Sequence, residues 1–283
     1  MKLFTAMVAV ALIAGVTIFY ACEKEDVSNQ TTNSADITES VEKDYESYIE
    51  KLIASTGIDI HKLSKSDGIE EIAETNLTLM EMADGLLDEK GGLTEEKLSQ
   101  LQDLGEAINA ASAAGDDDEV LRLYASFCAV CMTIDGFIFN MNEYGLQTFS
   151  YDPDKESLQL PIAYMEAEMV KAEALMKEME TNNPTFPTLS PSVQTEVMAA
   201  AISVSILRRM ETKAQSVADC KKAALADYGI AMAGCMAGLE IALHACAFSA
   251  AAVGPCVAVA FAGYGVAVGF ATWGYKRALN RCG

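Results

Sequence analysis

The side chains of this sequence that carry the most chemistry are its eight cysteines and two histidines. Five of the cysteines, Cys220, Cys235, Cys246, Cys256 and Cys282, crowd into the C-terminal quarter. They occupy two long helical stretches, about 192–250 and 255–282, separated by Val253-Gly254-Pro255. Gly-Pro is a turn signal, and Pro255 suits the first position of the second helix. In an antiparallel hairpin each helix rises ~1.5 Å per residue, so residues equally far from the turn stay level. Cys246 and Cys256 reflect about residue 251, and Cys220 and Cys282 reflect about the same residue. The spacing therefore predicts two disulfides, Cys220–Cys282 and Cys246–Cys256. A disulfide brings Cα atoms to ~4.4–6.8 Å, closer than the ~8–10 Å between the axes of packed helices. Small residues at the seam would permit that approach: Ala231, Gly234, Gly238, Ala242 and Ala245 on one helix, Ala260, Gly263, Ala267 and Ala271 on the other.

The remaining candidates are weaker. Cys128-Ala-Val-Cys131 has the spacing of a redox pair. Such pairs place the first cysteine at a helix N-terminus, where the dipole lowers its pKa. This one sits inside an apolar run, LYASFCAVCMTI, which favours packed thiols or a bridge from one of them to Cys235. A zinc site would need a fourth ligand, with only His61 and His244 to supply it. Glu240 and His244 are four apart and share one helix face. They read as a satisfied buried pair or as a pH-sensitive latch, because histidine titrates near neutrality. The run Gly115-Asp116-Asp117-Asp118 lacks the alternating ligands, glycine and terminal glutamate of a calcium loop; capping and dipole pairing explain it. No convergent catalytic constellation or phosphate loop emerges. The expectation is a protein that is not an enzyme and needs no cofactor.

The first 26 residues carry a different message. Met1-Lys2 is a minimal positive start, Leu3 to Tyr20 holds no charge, and Ala21-Cys22 is followed at once by Glu23, Lys24, Glu25 and Asp26. A short apolar core ending at a small residue is a secretory signal and is left out of the fold. With a cysteine at the cleavage point, the segment resembles the lipobox of bacterial lipoproteins. Phe19 and Tyr20 depart from the common pattern, which prefers Leu and a small residue there. The acidic stretch after the cysteine looks like that of surface lipoproteins of the Bacteroidota. The resemblance implies cleavage before Cys22, acylation of Cys22 with palmitate-type chains, and residence in the cell envelope on the outer membrane, with surface display. The alternative for 18 apolar residues is an uncleaved anchor. Residues 23–35 have few apolar side chains and cannot offset the entropy of ordering, so they read as a tether.

Composition bounds the rest. The net charge of −21 argues against nucleic acid as a partner. Residues 213–283 carry six positive and three negative side chains, so the excess of acid lies wholly in the preceding part. Strand signals are nearly absent and helical spacing recurs throughout. Tyr45, Tyr48, Ile49, Leu52 and Ile53 form one apolar stripe, stopped at Gly57. Ile69, Ile72, Ala73, Leu77, Met80 and Ala83 form the next, ending near Gly91-Gly92. Thr94 reads as the N-cap of a helix running to Ala114, with Glu95 and Glu96 in its first turn. Val120 to Asn142 and Glu156 to Glu180 read as helices, with a turn at Tyr151-Asp152-Pro153-Asp154 between them. Ser190-Pro191 starts the next.

The fold class is thus all-α: a helical bundle with a C-terminal antiparallel helical hairpin stapled by disulfides. The organisation is a signal peptide over residues 1–21, the lipidated cysteine and tether over 22–35, an acidic bundle over 36–190, and a long helix with the Ala/Gly/Cys-rich hairpin over 191–283. The hairpin could span a bilayer by length. Its Ala and Gly content drives insertion weakly, and Glu240 would cost on the order of 2.5 kcal/mol or more at mid-bilayer. A soluble stapled core is the favoured reading. Two functional expectations of different classes follow. One is a lipid-anchored envelope protein that binds an unknown protein partner, with the membrane as its other partner through the anchor. The other is a membrane-active effector acting through the hairpin, whose composition resembles that of small bacteriocin-like toxins.

Overall fold

The computed structural model describes residues 34–86, 93–134, 150–152, 157–159, 162–213, 219–247 and 253–282. The predicted signal peptide, Cys22 and nearly all of the tether lie outside the described residues. Nine α-helices, one 3-10 turn (Phe186–Thr188) and one short ribbon make up the described part: α1 (Ser34–Thr56), α2 (Ile60–Leu63), α3 (Asp67–Leu86), α4 (Glu95–Ala114), α5 (Asp117–Met132), β1 (Ser150–Asp152), β2 (Ser157–Gln159), α6 (Ile162–Asn182), α7 (Pro191–Lys213), α8 (Asp219–Ala247) and α9 (Val253–Arg281).

Local chemistry sets several boundaries where the sequence places them. Gly57 ends α1 in the left-handed region, φ 72°, its N–H bonded to the Ile53 carbonyl at 2.8 Å; a residue with a Cβ would be strained there. The Thr94 hydroxyl accepts from the Lys97 N–H at the start of α4, and Gly115 closes that helix with φ 76°. Asp116 then caps α5 by accepting from the Glu119 N–H. These two caps turn the chain back on itself and make α4 and α5 an antiparallel pair. The start of α7 at Pro191 matches expectation, with the Val193 N–H 3.4 Å from the Ser190 hydroxyl.

Four expectations need correction. The helix read over 156–180 begins only at Ile162. Pro161 disfavours helical geometry in the residue before it, and the segment upstream instead forms an antiparallel ribbon that pairs Ser150 with Gln159 and Tyr151 with Leu158. The helix read over 120–142 stops at Met132. The Thr133 hydroxyl reaches back to the Val130 carbonyl at 2.6 Å, and Asp135-Gly136 follows as a turn signal; residues 135–142 lie outside the described residues. The long helix read over 192–250 is two helices, α7 and α8, although neither Gly nor Pro marks the break between Lys213 and Asp219. Finally, α9 starts at Val253, so Pro255 is its third residue. A proline is still tolerated in that first turn, where its missing N–H has no intrahelical partner to lose.

The C-terminal hairpin is the centre of the molecule. Its first helix, α8, packs against α1, α3, α6, α7 and α9, and its second, α9, packs against α4 and α5. One continuous apolar cluster runs from Ile49 on α1 through Phe127 on α5, Met179 on α6 and Ile202 on α7 to Val257 and Tyr275 on α9. The acidic helices therefore form a sheath, and the most apolar segment is what they enclose. This arrangement is the physical reason for the uneven charge in the sequence. Helices on the outside need one apolar stripe, whereas a helix surrounded on most sides needs apolar residues nearly all round.

Candidate functional site

Both predicted bridges are present. Cys220 pairs with Cys282 and Cys246 with Cys256, each with 5.7 Å between Cα atoms. They clamp α8 to α9 at the open end and at the turn end of the hairpin. Two of the small residues at the seam between them depart from expectation. A Cβ built on Gly234 or Gly238 would have no neighbouring atom within 4 Å, so these glycines do not mediate the close approach. Aromatic rings also bridge the hairpin. Tyr228 stacks on Tyr275 with 4.7 Å between centroids and 6° between planes. The Tyr228 hydroxyl shares a hydrogen bond with that of Thr272 at 3.1 Å, in a buried setting. Tyr264, also buried, lies within electrostatic reach of Cys235, Tyr228 and Glu240. The close backbone approaches occur elsewhere. A Cβ on Gly229 would lie 3.0 Å from Ile206 and 3.2 Å from Met80, and one on Gly105 would lie 2.9 Å from Val266. Both are contacts between the hairpin and its sheath.

Cys128, Cys131 and Cys235 are free and buried. The bridge considered from one of the first two to Cys235 is thus absent. Burial pushes the thiols of Cys128 and Cys235 up to about 12 and raises that of Cys131 as well. A thiol must ionise to act as a nucleophile or metal ligand, and burial opposes that for both cysteines of the CxxC spacing on α5. Among the described residues, no group of three His, Cys, Asp or Glu side chains is placed to hold a metal ion.

Glu240 and His244 of the hairpin lie beside α6. Glu240 is only 9% exposed, and around it stand Glu168 and Lys171 of α6 and Glu71 of α3. Lys171 donates to Glu168 at 2.7 Å, and this bond stabilises its charged form. Burial pushes the Glu240 carboxyl up to about 7 in the bundle; Glu168 and Glu71 add to the rise and Lys171 opposes it. His244 lies one turn further along and is half-buried. Burial lowers its pKa, against the influence of Glu173 and Glu180 on α6. The predicted pair thus belongs to a larger polar row along the α6–α8 interface. Its chemistry is reversible proton binding near neutrality by one enclosed carboxyl. The other histidine, His61, sits 3.2 Å from Glu46 on the surface.

Sequence reasoning missed the cross-helix anchors of the sheath. Arg208 on α7 binds Glu70 of α3 at 2.5 Å, and Arg209 lies 3.5 Å from both Glu70 and Glu74. Glu178 of α6 accepts from the Gly68 N–H at 3.2 Å, serving the first turn of α3 from another helix. The signal for the first was present, since Arg208-Arg209 stands out in an acidic segment. No local signal marks the second.

Comparison with known proteins gives no matching family model, no matching curated protein and no matching solved structure.

Proposed function

We propose that this chain is an exported lipoprotein, cleaved before Cys22, held to the cell envelope by acyl chains on that cysteine, and acting there as a binding module for a protein partner. The observation that carries the anchor is the order of the first 26 residues: positive start, charge-free run, Ala21-Cys22, then an abrupt polar onset. Two disulfides in a chain of this size support an oxidising compartment. The tether predicted up to residue 35 meets α1 at Ser34, so the bundle would stand off the lipid surface by that length.

The binding role rests on what the sheath presents outward. Among the described residues, the large apolar side chains left exposed are Tyr48 at 37% and Val170 at 63%. Two isolated positions do not make an apolar docking patch. The surface is instead dominated by acids that remain after the net charge of −21 is set against the mildly positive hairpin at the centre. Such a surface selects a cationic partner and speeds its encounter. Outer membrane residence with display to the exterior fits that role.

The anchor is tested by growing cells with a labelled fatty acid. The wild-type chain takes up label and partitions into detergent; Cys22→Ser takes up none and stays unprocessed. Equal labelling of both would remove the lipoprotein reading. The binding role is tested by presenting the acylated protein to envelope extracts at low and high salt. Retention of a basic protein that 0.5 M salt releases supports it; a retained partner indifferent to salt contradicts the charge-based surface.

A further inference from the structure

We infer that the α8–α9 hairpin is a membrane-insertable unit, sheathed in the resting bundle, whose ligand on release is a lipid bilayer. This goes beyond the anchor and does not depend on it. A buried core hairpin needs apolar residues, but it does not need the other features found here.

The first feature is where the covalent staples lie. Both disulfides join α8 to α9, and among the described residues none joins the hairpin to α1–α7. The hairpin can leave its sheath as a folded, clamped unit without breaking a covalent bond. The second is the sorting of charge. From Ala245 through the turn to Tyr275 there is no charged side chain, while Lys221, Lys222, Lys276, Arg277 and Arg281 gather at the opposite end, beside the Cys220–Cys282 bridge, where they outnumber Asp219 and Asp227. The leading end would carry no charge into lipid, and the cations would stop at the headgroups. The third is dimension. The segments 220–247 and 253–280 are each long and apolar enough to cross a bilayer. Trp273 and the stacked Tyr228 and Tyr275 sit near the cationic end, with the Lys276 ammonium 5.6 Å from the Trp273 ring. Aromatic rings paired with cations suit the water–lipid boundary.

Two acidic side chains lie within the apolar segments, Asp227 near the cationic end and Glu240 deeper, and Glu240 opposes insertion most. Glu240 lies near the middle of α8, faced by Glu168 and Lys171 of α6, Glu71 of α3 and Tyr264 of α9. In the bundle Lys171 partly offsets its charge; in hydrocarbon nothing would. Ionised Glu240 therefore favours the sheathed state, and its neutral form loses that preference.

The test uses the unacylated chain from Cys22 onward and vesicles of phosphatidylcholine, with plain or brominated acyl chains. Trp273 is the only tryptophan and reports on the hairpin directly. Wild type should show emission that shifts to the blue and is quenched by the brominated lipid, and at pH 8, where Glu240 is ionised in the bundle, Glu240→Gln should raise the quenched fraction about tenfold where the wild-type fraction is small. Gly105→Cys/Val266→Cys, which would tie α4 to α9 across their close contact, should abolish quenching once oxidised. Should that double variant not fold, the comparison of wild type with Glu240→Gln decides alone. Emission of both that is identical in plain and brominated vesicles overturns the inference, as does full quenching in the cross-linked variant.

Discussion

Gly105 of α4 lies so close to Val266 of α9 that a Cβ built on it would stand 2.9 Å from the valine Cγ2. A Cβ built on Gly234 or Gly238 of α8, in contrast, would meet no atom within 4 Å. Glycine in a helix costs ~0.5–1 kcal/mol relative to alanine. Gly234→Ala and Gly238→Ala should each stabilise the bundle by about that amount. Gly105→Ala gains the same propensity, but the stiff valine must move, at a cost of ~1–3 kcal/mol; the net result should be destabilisation. Urea midpoints of the three variants check this, and a stabilised Gly105→Ala would show that the sheath and hairpin are not in tight contact at that point.

The two bridges should contribute unequally. Cys220–Cys282 closes a sequence separation of 62 and Cys246–Cys256 one of 10. In the chain-entropy account the longer loop is worth about 4 kcal/mol and the shorter about 3 kcal/mol. Removing the first pair as Cys220→Ser/Cys282→Ser should lower the urea midpoint more than Cys246→Ser/Cys256→Ser does. The reverse order would mean that the turn end, not loop closure, limits the stability of the hairpin.

Glu240 should make stability depend on pH. Its carboxyl is raised from an ordinary 4.5 to about 7 by burial, so the folded state disfavours the charged form. The stabilising contribution of the neutral group is complete below about 4.5 and is lost as pH rises through about 7. The loss is on the order of 3 kcal/mol. Glu240→Gln cannot ionise, so it should match wild type near pH 4 and exceed it at pH 8. The lowered pKa of His244 acts in the opposite direction at lower pH, and it is common to both proteins. Equal unfolding free energies at pH 8 would mean that Glu240 is better solvated or paired than its burial implies.

Much of the hairpin was legible in the sequence because its evidence is arithmetic. A common reflection point for two cysteine pairs depends only on helical rise and a single turn. The caps at Thr94, Asp116 and Gly115 were legible because they act within a few residues. What escaped was set by distant partners. Glu178 serves Gly68 from another helix, and the stack of Tyr228 on Tyr275 joins the two helices of the hairpin, where spacing marked only the cysteines and the small residues. The neighbours of Glu240 on α6 and α3 were invisible for the same reason: i,i+4 spacing reveals His244 on its own helix but not what packs opposite. The break between α7 and α8 has no Gly or Pro to announce it.

The three remaining thiols should be inert in the folded protein. Cys128, Cys131 and Cys235 are buried, and all three have raised pKa values. Iodoacetamide at pH 8 should label none of them until denaturant is added. Rapid labelling of Cys128 or Cys131 in the native state would reopen a redox role for the CxxC spacing.

The most direct test is the intact mass of the chain extracted from membranes, alkylated after denaturation without reductant. The predicted species begins at Cys22, carries acyl chains on it, retains both disulfides, and gains three alkyl groups, on Cys128, Cys131 and Cys235. A mass that still includes residues 1–21, or one that shows Cys220, Cys246, Cys256 and Cys282 alkylated, would contradict a lipid-anchored bundle built around a stapled hairpin.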